Sequence, residues 1–186
     1  FRCRGCGEVY KRQGATGRKG LWCGLLLGLA GMVLLLAAIP PFLWYLKLSD
    51  NVENMLAQYL MFTAPAMPAM MLHRALHAYA SSLNRPKPIM WVSWAALLLN
   101  IPLNYVFVYG KFGMPQLGGA GCGLATMLVC WFTTVALWLY VKKSPYFHRF
   151  GLQGGFSKPD LAMLKQFWQL GKPAGLSYFL EASLFT

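Results

Sequence analysis

The sequence predicts an all-α protein, a polytopic bundle of transmembrane helices. Three observations predict it. Four long apolar runs, Leu21–Leu46, Ala57–Leu83, Ile89–Tyr109 and Leu117–Val141, are each long enough to cross a hydrocarbon core of about 30 Å, which takes about 20 helical residues. These runs lack the polar face that a helix on the surface of a soluble domain keeps toward water. Basic residues collect on alternate connections between the runs. The chain has 186 residues, of which 57% are hydrophobic. Four spans and their connections use most of that length and leave no room for a large soluble domain.

The formal net charge of +12 invites a nucleic-acid reading, but its placement argues against one. Arg2, Arg4, Lys11, Arg12, Arg18 and Lys19 precede the first run, and Arg85 and Lys87 separate the second from the third. Lys142, Lys143, Arg149, Lys158 and Lys165 follow the fourth, whereas the other two connections hold only Lys47 and Lys111. Sides alternate at each crossing, so thirteen basic residues face two across the bilayer, the positive-inside pattern. The N-terminus is therefore expected in the cytoplasm, and the connections around Asp50 and Phe112 outside. No nucleic-acid partner is expected. The predicted organisation is a basic cytoplasmic start over 1–20, four transmembrane helices over 21–141, a cytoplasmic connection over 142–165 and the start of a further transmembrane helix over 166–186. The chain begins with Phe1 and stops at Thr186 inside that fifth apolar segment, so it is expected to be an internal piece of a larger protein.

Each run has its own signals. The first carries Gly20, Gly24 and Gly28 at four-residue spacing, which lets helix backbones approach closely in lipid. Trp22 and Trp44 bracket it as interface anchors, and Pro40 and Pro41 mark its outer end or a bend. Ser49-Asp50-Asn51 is a helix start. The second run holds Pro65 and Pro68, each expected to kink it. Breaks of that kind are tolerated where neighbours satisfy the freed carbonyls, which points to a cavity-lining helix. Asn84-Arg85-Pro86-Lys87-Pro88 is a tight turn. In the third run Asn100, Pro102 and Asn104 place two amides and a proline in mid-span, with hydrogen bonds expected across helices. Gly119 and Gly123 open the fourth run with another close-packing pair, and Trp138 and Tyr140 anchor its basic end.

Glu181 is the most informative single residue. It lies in the apolar stretch Tyr178-Phe179-Leu180-Glu181-Ala182-Ser183, and a carboxylate in hydrocarbon costs several kcal/mol unless protonated or paired. It reads as a proton or cation site or as a counter-ion for a cationic substrate, against the plainer reading of an acid exposed at a helix end. His73 and His77 share a helix face at a spacing that suits a metal, but no third ligand is near in sequence and Arg74 between them repels a cation. Cys3 and Cys6 form a C-x-x-C with no second pair and no βαβ pattern, an incidental pair in an irregular start. Gly14–Gly20 lacks the spacing of a phosphate loop. With five acids in the chain and no paired catalytic carboxylates, an enzyme is not expected, and neither a cofactor nor a structural metal.

Asn100-Ile101-Pro102-Leu103-Asn104-Tyr105, then Gly110-Lys111-Phe112-Gly113-Met114-Pro115 and Leu117-Gly118-Gly119-Ala120-Gly121-Cys122-Gly123-Leu124-Ala125-Thr126, resemble the multidrug and toxic compound extrusion (MATE) family of the NorM type. The resemblance runs on through His73–Pro86 and Lys172–Ser183. It implies two six-helix lobes, with this chain supplying helices three to six of the N-terminal lobe and the start of helix seven. It implies a multi-pass protein of the bacterial inner membrane that exports cationic, amphipathic drugs by antiport against Na⁺ or H⁺ through alternating access. Glu181 falls on the family's helix-seven acid, so it is expected to bind the coupling cation and the charge of the drug, with Na⁺ a candidate occupant. Asn100, Asn104, Pro65, Pro68 and Tyr178 are expected to line the cavity. The partners implied are the lipid bilayer, cationic drugs and the remainder of the transporter. Residues 1–13 depart from the family pattern, as a shifted reading frame or foreign start would. Three rivals stand beside this reading: an intramembrane enzyme or lipid-linked sugar transferase, which would need acid or histidine clusters where the outer connections offer only Asp50 and Glu53; a lipid-linked oligosaccharide flippase of similar fold, which should show a cationic cavity; and a truncation product without activity.

Overall fold

The computed structural model describes residues 4–46, 49–83, 87–111, 113 and 116–144, together with 169, 171–173, 175–177, 180–181 and 183–184. Among the described residues the continuous helices are α1 (Arg4–Leu46), α2 (Asp50–Thr63), α3 (Ala66–Ser82), α4 (Lys87–Tyr109) and α5 (Gly119–Lys143), and the described residues of 169–184 are helical too. Among the described residues the regular secondary structure is entirely helical. Among the described residues four stretches are long and apolar enough to cross a membrane: Lys19–Leu46, Asp50–Ser82, Lys87–Tyr109 and Gly119–Lys143. They coincide with the four apolar runs.

α1 begins well before the apolar run that predicts it and ends with it at Leu46. Residues 4–20, expected as a basic start before the first span, continue the helix toward the N-terminus. Extending a helix already formed in the apolar run costs far less than nucleating one. At the other end Pro40 and Pro41 lie inside α1, which continues to Leu46.

The second apolar run is divided into α2 and α3 at Ala64–Pro65. The Ala64 amide still donates to the Leu60 carbonyl at 2.9 Å, and the Met67 amide then donates to the Ala64 carbonyl at 3.1 Å, a tighter turn across the break. Only one of the two prolines makes the break. Pro68 sits in the first turn of α3, where a missing N–H leaves no helical bond unmade, so the second expected kink is absent.

Between α4 and α5 the chain reverses through three glycines with positive φ, Gly110 (65°), Gly113 (78°) and Gly118 (54°). A side chain at Gly110 would be disfavoured twice, because its Cβ would also stand 2.8 Å from the Gln116 amide nitrogen. The Lys111 amide donates to Val106 and the Leu117 amide to Phe107, each at 3.2 Å, so the loop folds back onto the end of α4.

α5 is the hub. It packs against α2, α3 and α4, while α1 lies mainly on α3. Leu76, Tyr79, Ala80, Leu83, Ile89, Leu137 and Val141 form the buried cluster that holds the ends of α3 and α5 to the start of α4, with Leu21 of α1 packed against it.

Candidate functional site

Three of the helix contacts are made by glycine: α1 on α3, α5 on α2 and α5 on α4. Along α1, a Cβ on Gly24 would stand 3.1 Å from the Met71 carbonyl oxygen, one on Gly28 would collide with the Pro68 backbone, and one on Gly17 would stand 2.7 Å from the Tyr79 ring. Gly20, expected in this seam, faces open space. The reason is the crossing path: 3.6 residues per turn carries Gly17, Gly24 and Gly28 onto α3 at spacings of seven and four, and turns Gly20 aside. The pair expected in α5 does pack as expected. Gly119 meets Met55 and Gly123 meets Tyr59 and Thr63, so α2 presents an i, i+4, i+8 ridge to it. Gly121, outside that expected pair, lies against the Phe107 carbonyl of α4, where a Cβ would stand 2.6 Å away.

These contacts position the broken segment. The Trp131 indole N–H of α5 donates to the Pro65 carbonyl at 3.2 Å, directly at the break. The Thr134 hydroxyl lies 2.8 Å from the Ala69 carbonyl of α3 and 2.8 Å from the Cys130 carbonyl of its own helix, so its proton bridges α3 and α5. Donors of α5 therefore reach one carbonyl at the break and one in the opening turns of α3, which ties the broken segment to its neighbour. Sequence reasoning missed both donors. The signal available was two hydrogen-bonding side chains three residues apart in an otherwise apolar run, and nothing in sequence says which carbonyl they reach.

Asn100 and Asn104 are half-buried on α4. The Asn104 amide donates to the Asn100 side-chain oxygen at 2.8 Å and to the Asn100 carbonyl at 3.1 Å. The expected bonds across helices are thus replaced by an i, i+4 pair within α4, one turn apart around Pro102, which sits inside the helix. The proline break lies on the α3 side of α5 and the amide pair lies on α4, so the structure does not join them into one site. Glu181 is helical and exposed, and the structure does not connect it to either group. Tyr178 lies outside the described residues.

One cavity is walled by three helices. About 340 Å³ in volume, it is lined by His73, Arg74 and His77 of α3, Ser93 of α4, and Cys130 and Thr133 of α5. The rings of His73 and His77 lie 6.3 Å apart. Cys130 is the third potential ligand that the sequence did not place nearby, yet among the described residues no three His, Cys, Asp or Glu side chains are arranged to hold a metal.

The family model described as MatE matches residues 7–106, starting within the 1–13 segment expected to be off-pattern. The probable multidrug resistance protein NorM of Neisseria meningitidis is 65% identical over 173 residues, covering 93% of this chain and 38% of that protein. Its counterpart in Chromobacterium violaceum is 48% identical over 179 residues, covering 96% of this chain and 38% of that one. A solved structure of the MATE transporter NorM-NG, in complex with a ligand and a monobody, is 52% identical, with a TM-score of 0.72 over 96% of this chain and 40% of that chain. The chain thus spans about two fifths of the length of the proteins it matches.

Proposed function

Because the chain belongs to the MatE family, we propose that it is part of a multidrug efflux transporter that exports cationic, amphipathic compounds by antiport against Na⁺ or H⁺. The observation that carries the reading is the likeness to a solved MATE transporter over nearly the whole of this chain at 52% identity. That transporter is described as a complex with a ligand. The helix broken at Ala64–Pro65 and tied to α5 through Trp131 and Thr134 supports the reading, since broken helices line substrate cavities in secondary transporters. The reading assigns no bond-making step to the chain. It places the protein in a bacterial inner membrane with the basic N-terminal segment inside, and one lobe rocks against the other around the cavity.

In this reading Glu181 exchanges a cation for the drug, so the two compete for one negative charge. The test expresses the whole reading frame that contains this chain in bacteria lacking their own efflux pumps and follows ethidium efflux under imposed Na⁺ or proton gradients. Glu181→Gln is expected to abolish gradient-driven efflux while membrane yield and thermal stability stay at wild-type level. Wild-type efflux from that variant would refute the role of Glu181. Absence of efflux from the wild type, with the protein folded in the membrane, would refute the transporter reading itself.

A further inference from the structure

The cavity between α3, α4 and α5 has no place in the transport reading. Its charge is one-sided: Arg74 lines it together with His73 and His77, and no carboxylate is among the lining residues. Its hydroxyls do not supply the missing acceptor strength. Ser93 donates to the Ile89 carbonyl at 2.9 Å and Thr133 to the Cys130 carbonyl at 2.9 Å, so their oxygens remain acceptors but bring no negative charge to balance the guanidinium. An arginine in a membrane-spanning segment pairs with an anion or is drawn toward one, and the guanidinium offers five donors in a fork that fits phosphate. Arg74 lies eight residues from the end of α3, about 12 Å along the helix, too far for its side chain to reach the interface fully.

The surroundings identify the ligand class. α3 ends, α4 begins and α5 ends on the same side of the bundle, so Lys87, Lys142 and Lys143, all exposed, stand at the rim nearest the cavity. Basic pockets between membrane helices at a lysine-rich rim are suited to anionic lipid headgroups. Met70 lines the cavity, and Met90 lies one turn from Ser93, at 40% and 51% exposure. These two give acyl chains an apolar path beside the charged group. The volume of about 340 Å³ exceeds what one acidic side chain would fill.

We propose that this cavity is a recessed headgroup site for an anionic phospholipid, its phosphate held by Arg74 together with His73 and His77. The site binds lipid, not drug, and is independent of Glu181.

The test uses the whole reading frame that contains this chain, purified in mild detergent. Native mass spectrometry follows retention of phosphatidylglycerol or of phosphatidylcholine with the same acyl chains. The wild type is expected to keep one phosphatidylglycerol about tenfold more tightly than phosphatidylcholine, the scale of one charge-assisted contact. Arg74→Gln should lose that preference, and Arg74→Lys, which keeps the charge, should retain most of it. Equal retention of the two lipids by the wild type would overturn the proposal without reference to any variant, and that is also the result if an acidic side chain from a further helix fills the pocket. Undiminished preference in Arg74→Gln would overturn it too. Displacement of phosphatidylglycerol by millimolar inorganic phosphate would assign the pocket to the free ion and overturn the lipid source.

Discussion

The α1–α3 seam and the outer face of α4 are built from equally apolar sequence and behave in opposite ways. In the seam, glycines bring one backbone against another: Gly24 meets the Met71 carbonyl and Gly28 meets the Pro68 backbone. On α4, the largest side chains point away from the bundle, with Trp91 at 70%, Leu98 at 66% and Ile101 at 63% exposure. In water such a face would be an aggregation hazard. In lipid it is a solvated surface, and the association of helices comes from close packing and interhelical hydrogen bonds instead. Apolar content therefore says that a segment enters the membrane, and small residues say where it stops being solvated by it.

Three substitutions in the whole reading frame sharpen this contrast, each read as the midpoint of thermal aggregation in detergent. Gly28→Leu should have the largest effect. Its side chain meets the Pro68 backbone, which has no rotamer to yield, so a loss at or beyond the ~1–3 kcal/mol typical of overpacking is expected. A midpoint within a degree of wild type would mean that the seam does not hold α1 to α3. Thr134→Val keeps the shape and removes the hydroxyl that reaches Ala69, so it should cost about 0.5–1.5 kcal/mol. No change would show the α3–α5 contact to rest on packing alone. Gly20→Ala is the smallest. Gly20 faces open space within helical backbone, so added helix propensity should leave stability unchanged or raise it by up to about 1 kcal/mol. A loss comparable to that of Gly28→Leu would erase the distinction between the two glycines.

The same contrast explains what was readable in advance. The four spans were legible because hydropathy over about 20 residues is a property of composition, and burial in lipid needs no knowledge of neighbours. Gly119 and Gly123 were legible as a contact pair, but Gly17 and Gly121 were not, since their importance depends on which helix lies opposite. Pro65 and Pro68 look alike in sequence. Their different outcomes follow from where α3 begins, which places Pro68 in a first turn that tolerates it. Asn100 and Asn104 were expected to reach other helices and instead satisfy each other at i, i+4, a spacing visible in the sequence that competes with partners across the bundle. Arg74 with its two histidines was legible as a cluster, whereas Ser93, Cys130 and Thr133 arrive from 16 or more residues away in sequence.

The sequence by itself determined that these segments are helices and that they are long enough to cross a bilayer. Backbone polar groups in hydrocarbon are satisfied only in a helix or a closed barrel, and an apolar run of about 20 residues fits the helix, so composition suffices. The tertiary structure alone decided that α5 is the hub, that Trp131 and Thr134 serve the backbone near the proline break, and that three helices enclose a cationic cavity. Lipid solvates every apolar face equally well, so the choice of partner passes to small residues and single hydrogen bonds whose meaning exists only once two helices are side by side.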